Sequence, residues 1–272
     1  GKIERLRRGL RMFPDLFCIG PLCIQSLGVF LALGFLVTGY VFFRKVREEH
    51  YLELEAFDGF LLSLVAGFVV GRLAYVGLHF DQFGLSLWKW FDVITYPGVL
   101  GSAALIGAGW YIYRYSKKFT DDSFEFLDIW SISVTAGLSV VWVGLFLDGA
   151  SMGNATSLPI GLQSPGQLEP HLPVQLVVAV FFAVLSMALQ WVEFRYRTFD
   201  WYRSGKKSAQ SGFLVAVSII STSLLWVALS FARPAQIVLF GLALDTVLAL
   251  LGVCAGVLLL YVRSGRKLGF GR

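Results

Sequence analysis

The residues in this sequence that could do chemistry are few, and they are far apart. Arg72 stands within Gly71-Arg72-Leu73-Ala74-Tyr75, inside a long apolar stretch. A cation placed at membrane depth costs about 2.5–3.5 kcal/mol on insertion scales, so it needs a partner. Two readings fit it: a structural cation bonded to helix-end carbonyls or reaching outward, or a clamp on a lipid phosphate, which a planar guanidinium suits. Asp245 lies well inside the apolar run Gln236–Val262. There a carboxylate is either protonated or paired, and Arg72 is the only deep basic candidate.

The histidines are His50 in a charged loop, His79 at the end of an apolar run and His171 just before Pro173. None has helical metal spacing to another, and none neighbours a Ser or Cys nucleophile with an orienting acid. Only His171 is kept as a functional candidate. Cys18, Cys23 and Cys254 fall in or near apolar runs and read as small packing residues, not as a disulfide framework or metal site. The stretch Leu147 to Thr156 is different in kind. Gly149 and Gly153 permit close approach of backbone to a ligand or a tight turn. Asn154-Ala155-Thr156 matches a glycosylation acceptor.

The elements that must position these residues are apolar runs. Seven of them cover about Leu16–Phe43, Gly59–Phe80, Ile94–Tyr113, Leu127–Leu147, Pro173–Glu193, Gly212–Phe231 and Gln236–Val262. Crossing a hydrocarbon core of about 30 Å takes roughly 20 apolar residues. In lipid the backbone must bond to itself, so each run is expected to be a helix. With 56% hydrophobic and 15% charged residues in 272, no room remains for a large soluble domain. The expected architecture is all-α, a single seven-helix membrane domain over 1–272. It has a basic interfacial segment at 1–13 and an external loop at 148–172.

Charge sets the orientation. Arg44, Lys45 and Arg47 follow the first run, Arg114, Lys117 and Lys118 the third, and Arg195, Arg197, Arg203, Lys206 and Lys207 the fifth. The tail adds Arg263, Arg266, Lys267 and Arg272. The loops on the other side hold only Lys89 and Arg233, and the long loop from Asp148 to Leu172 has no Lys or Arg. The positive-inside rule then places the N-terminus outside and the C-terminus in the cytoplasm. The cations of Gly1–Phe13 dissent, and are read as lying at anionic headgroups. The net charge of +5 is therefore a membrane asymmetry and not a nucleic-acid footprint.

In this frame the motifs, taken in order, resemble the bacterial prolipoprotein diacylglyceryl transferase family along nearly the whole chain. Phe13-Pro14-Asp15 and Gly20-Pro21-Leu22 are similar to its opening, and Gly28 to Gly34 to its first span. Gly71-Arg72-Leu73 with Tyr75 and Val76 resembles its second-span motif, and Leu105-Ile106-Gly107 the end of its third. Asp128, Gly137, Phe146, Gly149 and Gly153 keep the order of its fourth span and signature loop. Pro173, Gln175 and Leu176, then Phe231, Arg233 and Gln236, are similar to its fifth span and its sixth-to-seventh connection. The resemblance implies a seven-span bundle in the bacterial plasma membrane. It also implies transfer of a diacylglyceryl group from phosphatidylglycerol to a lipobox cysteine thiol, with no cofactor or metal. The phospholipid and headgroup positions it implies here are Arg72, Tyr75, Gly149, Gly153, Gln175 and Arg233.

The departures from the family pattern fall where its polar residues stand. Leu27 replaces a first-span tyrosine, and Ser102 stands at a third-span histidine. In the fourth-span signature Trp142 stands at an arginine, Leu145 at an asparagine, Asp148 at a second asparagine and Ala150 at a glutamate. His171-Leu172-Pro173 takes the place of an Arg-His-Pro sequence, and Trp226 and Ser230 the places of an arginine and a glutamate. General acid–base catalysis alone contributes about 10²–10⁴ in rate, so losing these groups together matters.

The expected function is therefore a catalytically degenerate relative that binds phospholipid or a protein partner, membership of a larger membrane complex being one form of this. The alternative is an active phosphatidylglycerol–prolipoprotein diacylglyceryl transferase with a divergent site, using Arg72, Asp148 and His171. A small transporter is the third possibility. It would need a polar path, for which only Arg72, Asp245, Gln190 and scattered Ser and Thr are available.

Overall fold

The computed structural model describes residues 15–19, 22–93, 95–149, 152–157, 159, 161–162, 169–195, 210–234, 238–239 and 242–263. The basic segment Gly1–Phe13, Ala150, Gln236 and several basic residues (Arg197, Arg203, Lys206, Lys207, Arg266, Lys267 and Arg272) lie outside them. Nine helices are described: α1 Ser26–Glu48, α2 Glu53–Leu78, α3 Phe80–Phe83, α4 Leu87–Phe91, α5 Gly101–Ser116, α6 Ser123–Asp148, α7 Val174–Val192, α8 Phe213–Leu229 and α9 Leu244–Arg263. Four of these are long and apolar enough to cross a membrane as they stand: α1, α2, α6 and α9. A fifth, α7, is so with its continuation to Arg195. Helices α5 and α8 are shorter, with 16 and 17 residues.

The structure is mostly helical, as expected, with a short hairpin ahead of the first long helix and another ahead of the last. Strands β1 (Asp15–Ile19) and β2 (Leu22–Gln25) form an antiparallel hairpin ahead of α1. Strands β3 (Val238–Leu239) and β4 (Leu242–Ala243) form another ahead of α9. Both stretches are apolar, so they read as the starts of helices. Pro21, however, cannot supply a backbone N–H to a helix, and each pair of strands is separated by two residues that include a glycine. The third run is corrected in the same way. It was expected from Ile94, but α5 begins at Gly101, after Pro97 and a Gly98 at φ 149°.

The chain forms two compact units, 42–130 and 1–41 with 131–272, and the boundaries fall inside α1 and α6. In the first of these, α2 packs along α5. Gly59, Ser63, Gly67 and Gly71 recur every fourth residue on the buried side of α2. A Cβ on Gly67 would lie 2.8 Å from the Ala104 carbonyl oxygen, and one on Gly71 2.7 Å from Val99. Small residues let two helix backbones approach where lipid offers no hydrophobic drive to associate. At one end an aromatic cluster closes the unit: Phe42 stacks on Phe60 at 5.1 Å, and Phe126 meets Phe42, Tyr51 and Phe119 edge-on.

In the other unit α8 packs along α9, with Gly252 against Ser223 and Gly256 against Ile220. Gly34 of α1 faces Gly137 and Val141 of α6. A buried apolar core runs through Ile132, Val174, Val178, Phe182, Leu185, Leu189, Leu214 and Leu229. Arg263 at the end of α9 donates to the Ser211 carbonyl at 2.8 Å and to its hydroxyl, which fastens α9 to the start of α8.

Candidate functional site

Two polar centres stand out, one in each unit. In unit 42–130, Arg72 is only 5% exposed, one turn and a half before the end of α2. Its Nε donates to the Trp90 carbonyl at 2.9 Å. Nη1 donates to Tyr96 at 2.7 Å and Gly98 at 2.9 Å, and Nη2 to Lys89 and Asp92 at 3.1 Å each. A guanidinium has five N–H donors, and each of the five meets a carbonyl. Its face lies 5.1 Å over the Phe83 ring. This is the bonding pattern of the carbonyl-held cation, the first of its two readings. No N–H is left over for a phosphate in this geometry. Tyr75 stacks on His79 at 4.3 Å, and His79 Nδ1 donates to the Tyr75 carbonyl at 3.0 Å. The Tyr75 ring fills the space that a side chain on Gly98 would need. Ser102 is exposed in the first turn of α5.

The second centre is built from three remote pieces of chain in the other unit. Helix α6 ends at Asp148, and Gly149 follows at φ 76°, the left-handed conformation that glycine adopts past a helix end. The chain returns at Gly153, whose N–H donates to the Leu172 carbonyl at 3.0 Å. Asn154 is the middle rung: its N–H donates to Ala232 at 2.8 Å, and its carbonyl accepts from Leu172 at 3.1 Å. Asn154 Nδ2 donates to the Phe231 carbonyl at 3.2 Å. Gly153 has to be glycine here, because a Cβ would lie 2.8 Å from the Ala232 oxygen and 2.9 Å from Leu172 and Val174.

This lattice sets His171 and Arg233 on the two flanks of Asn154. His171 exchanges both backbone bonds with Leu162 at 2.9 Å, and its Nδ1 donates to the Glu169 carbonyl at 2.8 Å. A ring whose Nδ1 carries the proton keeps a lone pair on Nε2. That nitrogen can accept a proton.

Arg233 lies 5.2 Å over the Trp226 ring, and Trp226 meets Trp142 at 5.6 Å. Burial holds the Arg233 pKa below its ordinary value, and the Asp245 carboxylate opposes that shift. Asp245 is thus near enough to Arg233 to favour its charged form. It is also exposed and sits in the first turn of α9, not at mid-span, because β3 and β4 take up the start of the apolar run. Trp142 and Trp226 pack against the core together with Leu172 and Ala232.

The remaining positions are placed as follows. Gln175 is fully buried in the first turn of α7. Leu145 and Asp148 are half-buried on α6, and Leu27 is half-buried in the first turn of α1. The Ser230 hydroxyl donates to the Val227 carbonyl at 2.7 Å. Sequence reasoning missed Asn154 as a structural centre and valued it only as a sugar acceptor. The available signal was its place after Gly153 in a loop rich in small residues.

Five helices long and apolar enough to cross a membrane define a multi-pass membrane protein. The chain belongs to the prolipoprotein diacylglyceryl transferase family, whose model matches residues 14–262. Among its relatives is the phosphatidylglycerol–prolipoprotein diacylglyceryl transferase of Clostridium tetani, 26% identical over 66% of this chain and 74% of that one. The enzyme of the same name from Wolbachia pipientis wMel is 27% identical, over 65% of this chain and 68% of its own. That from Chloroherpeton thalassium is 25% identical, over 77% and 76%.

Proposed function

We propose that this chain is a diacylglyceryl transferase of the bacterial plasma membrane, acting on a phosphatidylglycerol-like lipid and a cysteine thiol. The match of the family model from residue 14 to 262, with the glycine-dependent loop lattice in place, carries this reading. The named activity of the relatives favours it over a protein without turnover. The thiol proton would pass to His171 Nε2, and the thiolate would then attack the diacylglycerol carbon. The carbon–oxygen bond to phosphate would break, and glycerol phosphate would leave with the bonding electrons. Arg233 would offset the phosphate charge, and Asp148 would be a further carboxylate at the end of α6. Arg72 would act as a positioning residue, since its donors are committed to carbonyls. Gly149, Gly153 and Gln175 would shape the lipid site of their unit, and Tyr75 would meet lipid in the 42–130 unit. All seven apolar runs would span, with the N-terminus outside.

A second reading rests on the Trp142–Trp226 contact. Two indoles stand where the family resemblance implies arginines, and Leu145 and Ser230 lie nearby in sequence. Such a site would hold a lipid or contact another membrane subunit without reacting. One experiment separates the two. The purified protein is incubated in phosphatidylglycerol vesicles with a lipobox peptide, and the peptide is weighed by mass spectrometry. A diacylglyceryl thioether that disappears with His171→Ala supports the transferase. No adduct at any enzyme concentration, with phosphatidylglycerol still copurifying, would leave the lipid-holding reading.

A further inference from the structure

We propose that the segment Phe80–Phe91 is an interfacial anchor, which Arg72 holds in shape so that its apolar side chains insert into the headgroup–acyl boundary of the bilayer. The connection between α2 and α5 is unusually apolar on its outside. Leu85 is 86% exposed, Trp88 81% and Phe91 80%, and Leu87 and Phe80 are exposed as well. Trp88 and Phe91 are three residues apart on α4 and so share a face. A patch of this kind marks a surface that meets something other than water.

The occupant follows from what the patch adjoins. It continues from Val69, Leu73 and Leu78, the exposed residues of the last turns of α2, a helix apolar enough to cross a membrane. It lies at the opposite end of α2 from the Arg47–Glu53 ion pair. Tryptophan beside lysine is the composition of a membrane–water interface, and Lys89 sits 5.7 Å over the Tyr96 ring. The bilayer itself is the surface that fits.

The inner side of the segment is already filled, so these side chains have nowhere to turn back to. Phe83 is buried beneath the Arg72 guanidinium, and Tyr96 packs against it at 5.8 Å. Trp90 Nε1 donates to the Gly84 carbonyl at 3.1 Å. Arg72 holds two carbonyls of α4 itself, Lys89 and Trp90, and three that follow it, Asp92, Tyr96 and Gly98, and the Leu100 N–H donates to the Gly71 carbonyl at 3.0 Å. Arg72 thereby fixes the level of Trp88 and Phe91 relative to the end of α2.

The test uses nitroxide labels on the full chain, with Cys18, Cys23 and Cys254 replaced by serine, in phosphatidylethanolamine–phosphatidylglycerol vesicles. Labels on Trp88→Cys and Phe91→Cys are expected to collide more with oxygen than with a water-soluble nickel chelate, and a label on Asp81→Cys is expected to do the reverse. Dominance of the nickel chelate at both Trp88 and Phe91 would overturn the anchor. Arg72→Lys offers three donors in place of five, so it is expected to shift the label at position 88 toward water. An unchanged depth there would overturn the role given to Arg72. The labels on the chain with Arg72 intact decide insertion even if that variant fails to fold.

Discussion

Arg72→Met would take a donor from five part-buried carbonyls, of which Asp92 keeps the Tyr96 N–H, and an unpaired carbonyl that is fully buried costs about 1–3 kcal/mol. The variant is expected to lose several kcal/mol, seen as a large drop in the detergent-solubilised unfolding temperature. Arg72→Lys should fall between the two. Equal melting of all three proteins would contradict the bonding described. Trp226→Ala takes away the ring that touches both Trp142 and Arg233, and removing a packed Trp costs about 3–5 kcal/mol. That substitution should lower stability, whereas Trp88→Ala, on an exposed ring, should leave the stability in detergent within about 0.5 kcal/mol of the parent. The partners of Arg72 were not legible in the sequence for a simple reason: they are backbone oxygens, 17 to 26 residues away, and any residue supplies one. The Trp142–Trp226 contact joins residues on separate helices with most of a loop-and-helix between them, so no local pattern announces it.

For the helices, glycine position decides the outcome of substitution within a single element. Gly67→Val would force α2 away from the Ala104 carbonyl of α5, a kind of overpacking that costs about 1–3 kcal/mol. Gly77 of the same helix has nothing within 4 Å of its would-be Cβ. Gly77→Ala should be neutral or gain up to about 1 kcal/mol from helix propensity. Thermal unfolding of the pair measures both, and destabilisation by Gly77→Ala alone would reverse the assignment. The long spans α2, α6 and α7 were legible because unbroken apolar length is a strong signal. The ends of the first and last runs were not, because hydropathy weighs residues and ignores backbone punctuation. Pro21, Pro97 and Gly98 carry that punctuation in the first and third runs, and in the last run the β3–β4 hairpin moves Asp245 from mid-span to a helix start.

For the whole molecule, the charge asymmetry predicts which loops meet the outside. In intact bacterial spheroplasts, a cysteine placed at Glu169 should react with an impermeant maleimide. One placed at Lys117 should react only after the membrane is opened. The reverse pattern would invert the proposed topology, in which the lattice of Asn154, Leu172 and Ala232 works at the outer leaflet. The family was legible from motif order, but the lattice was not. Its three pieces are drawn from residues 153–154, 171–172 and 231–233, and only folding brings them to one place.

The division of the chain has a consequence for how the protein is made. Residues 42–130 are contiguous, while the other unit needs both 1–41 and 131–272. Ribosomes deliver the first unit whole, and domains generally form as synthesis proceeds from the N-terminal side. The α2–α5 pair and its Arg72 bonds can therefore be complete in the membrane while α1 still waits for α6. A nascent chain stalled soon after α6 leaves the ribosome should already form a disulfide between cysteines at Gly67 and Ala104. The newborn protein would then complete its 42–130 unit first, and its loop lattice would close only when the last helices arrive.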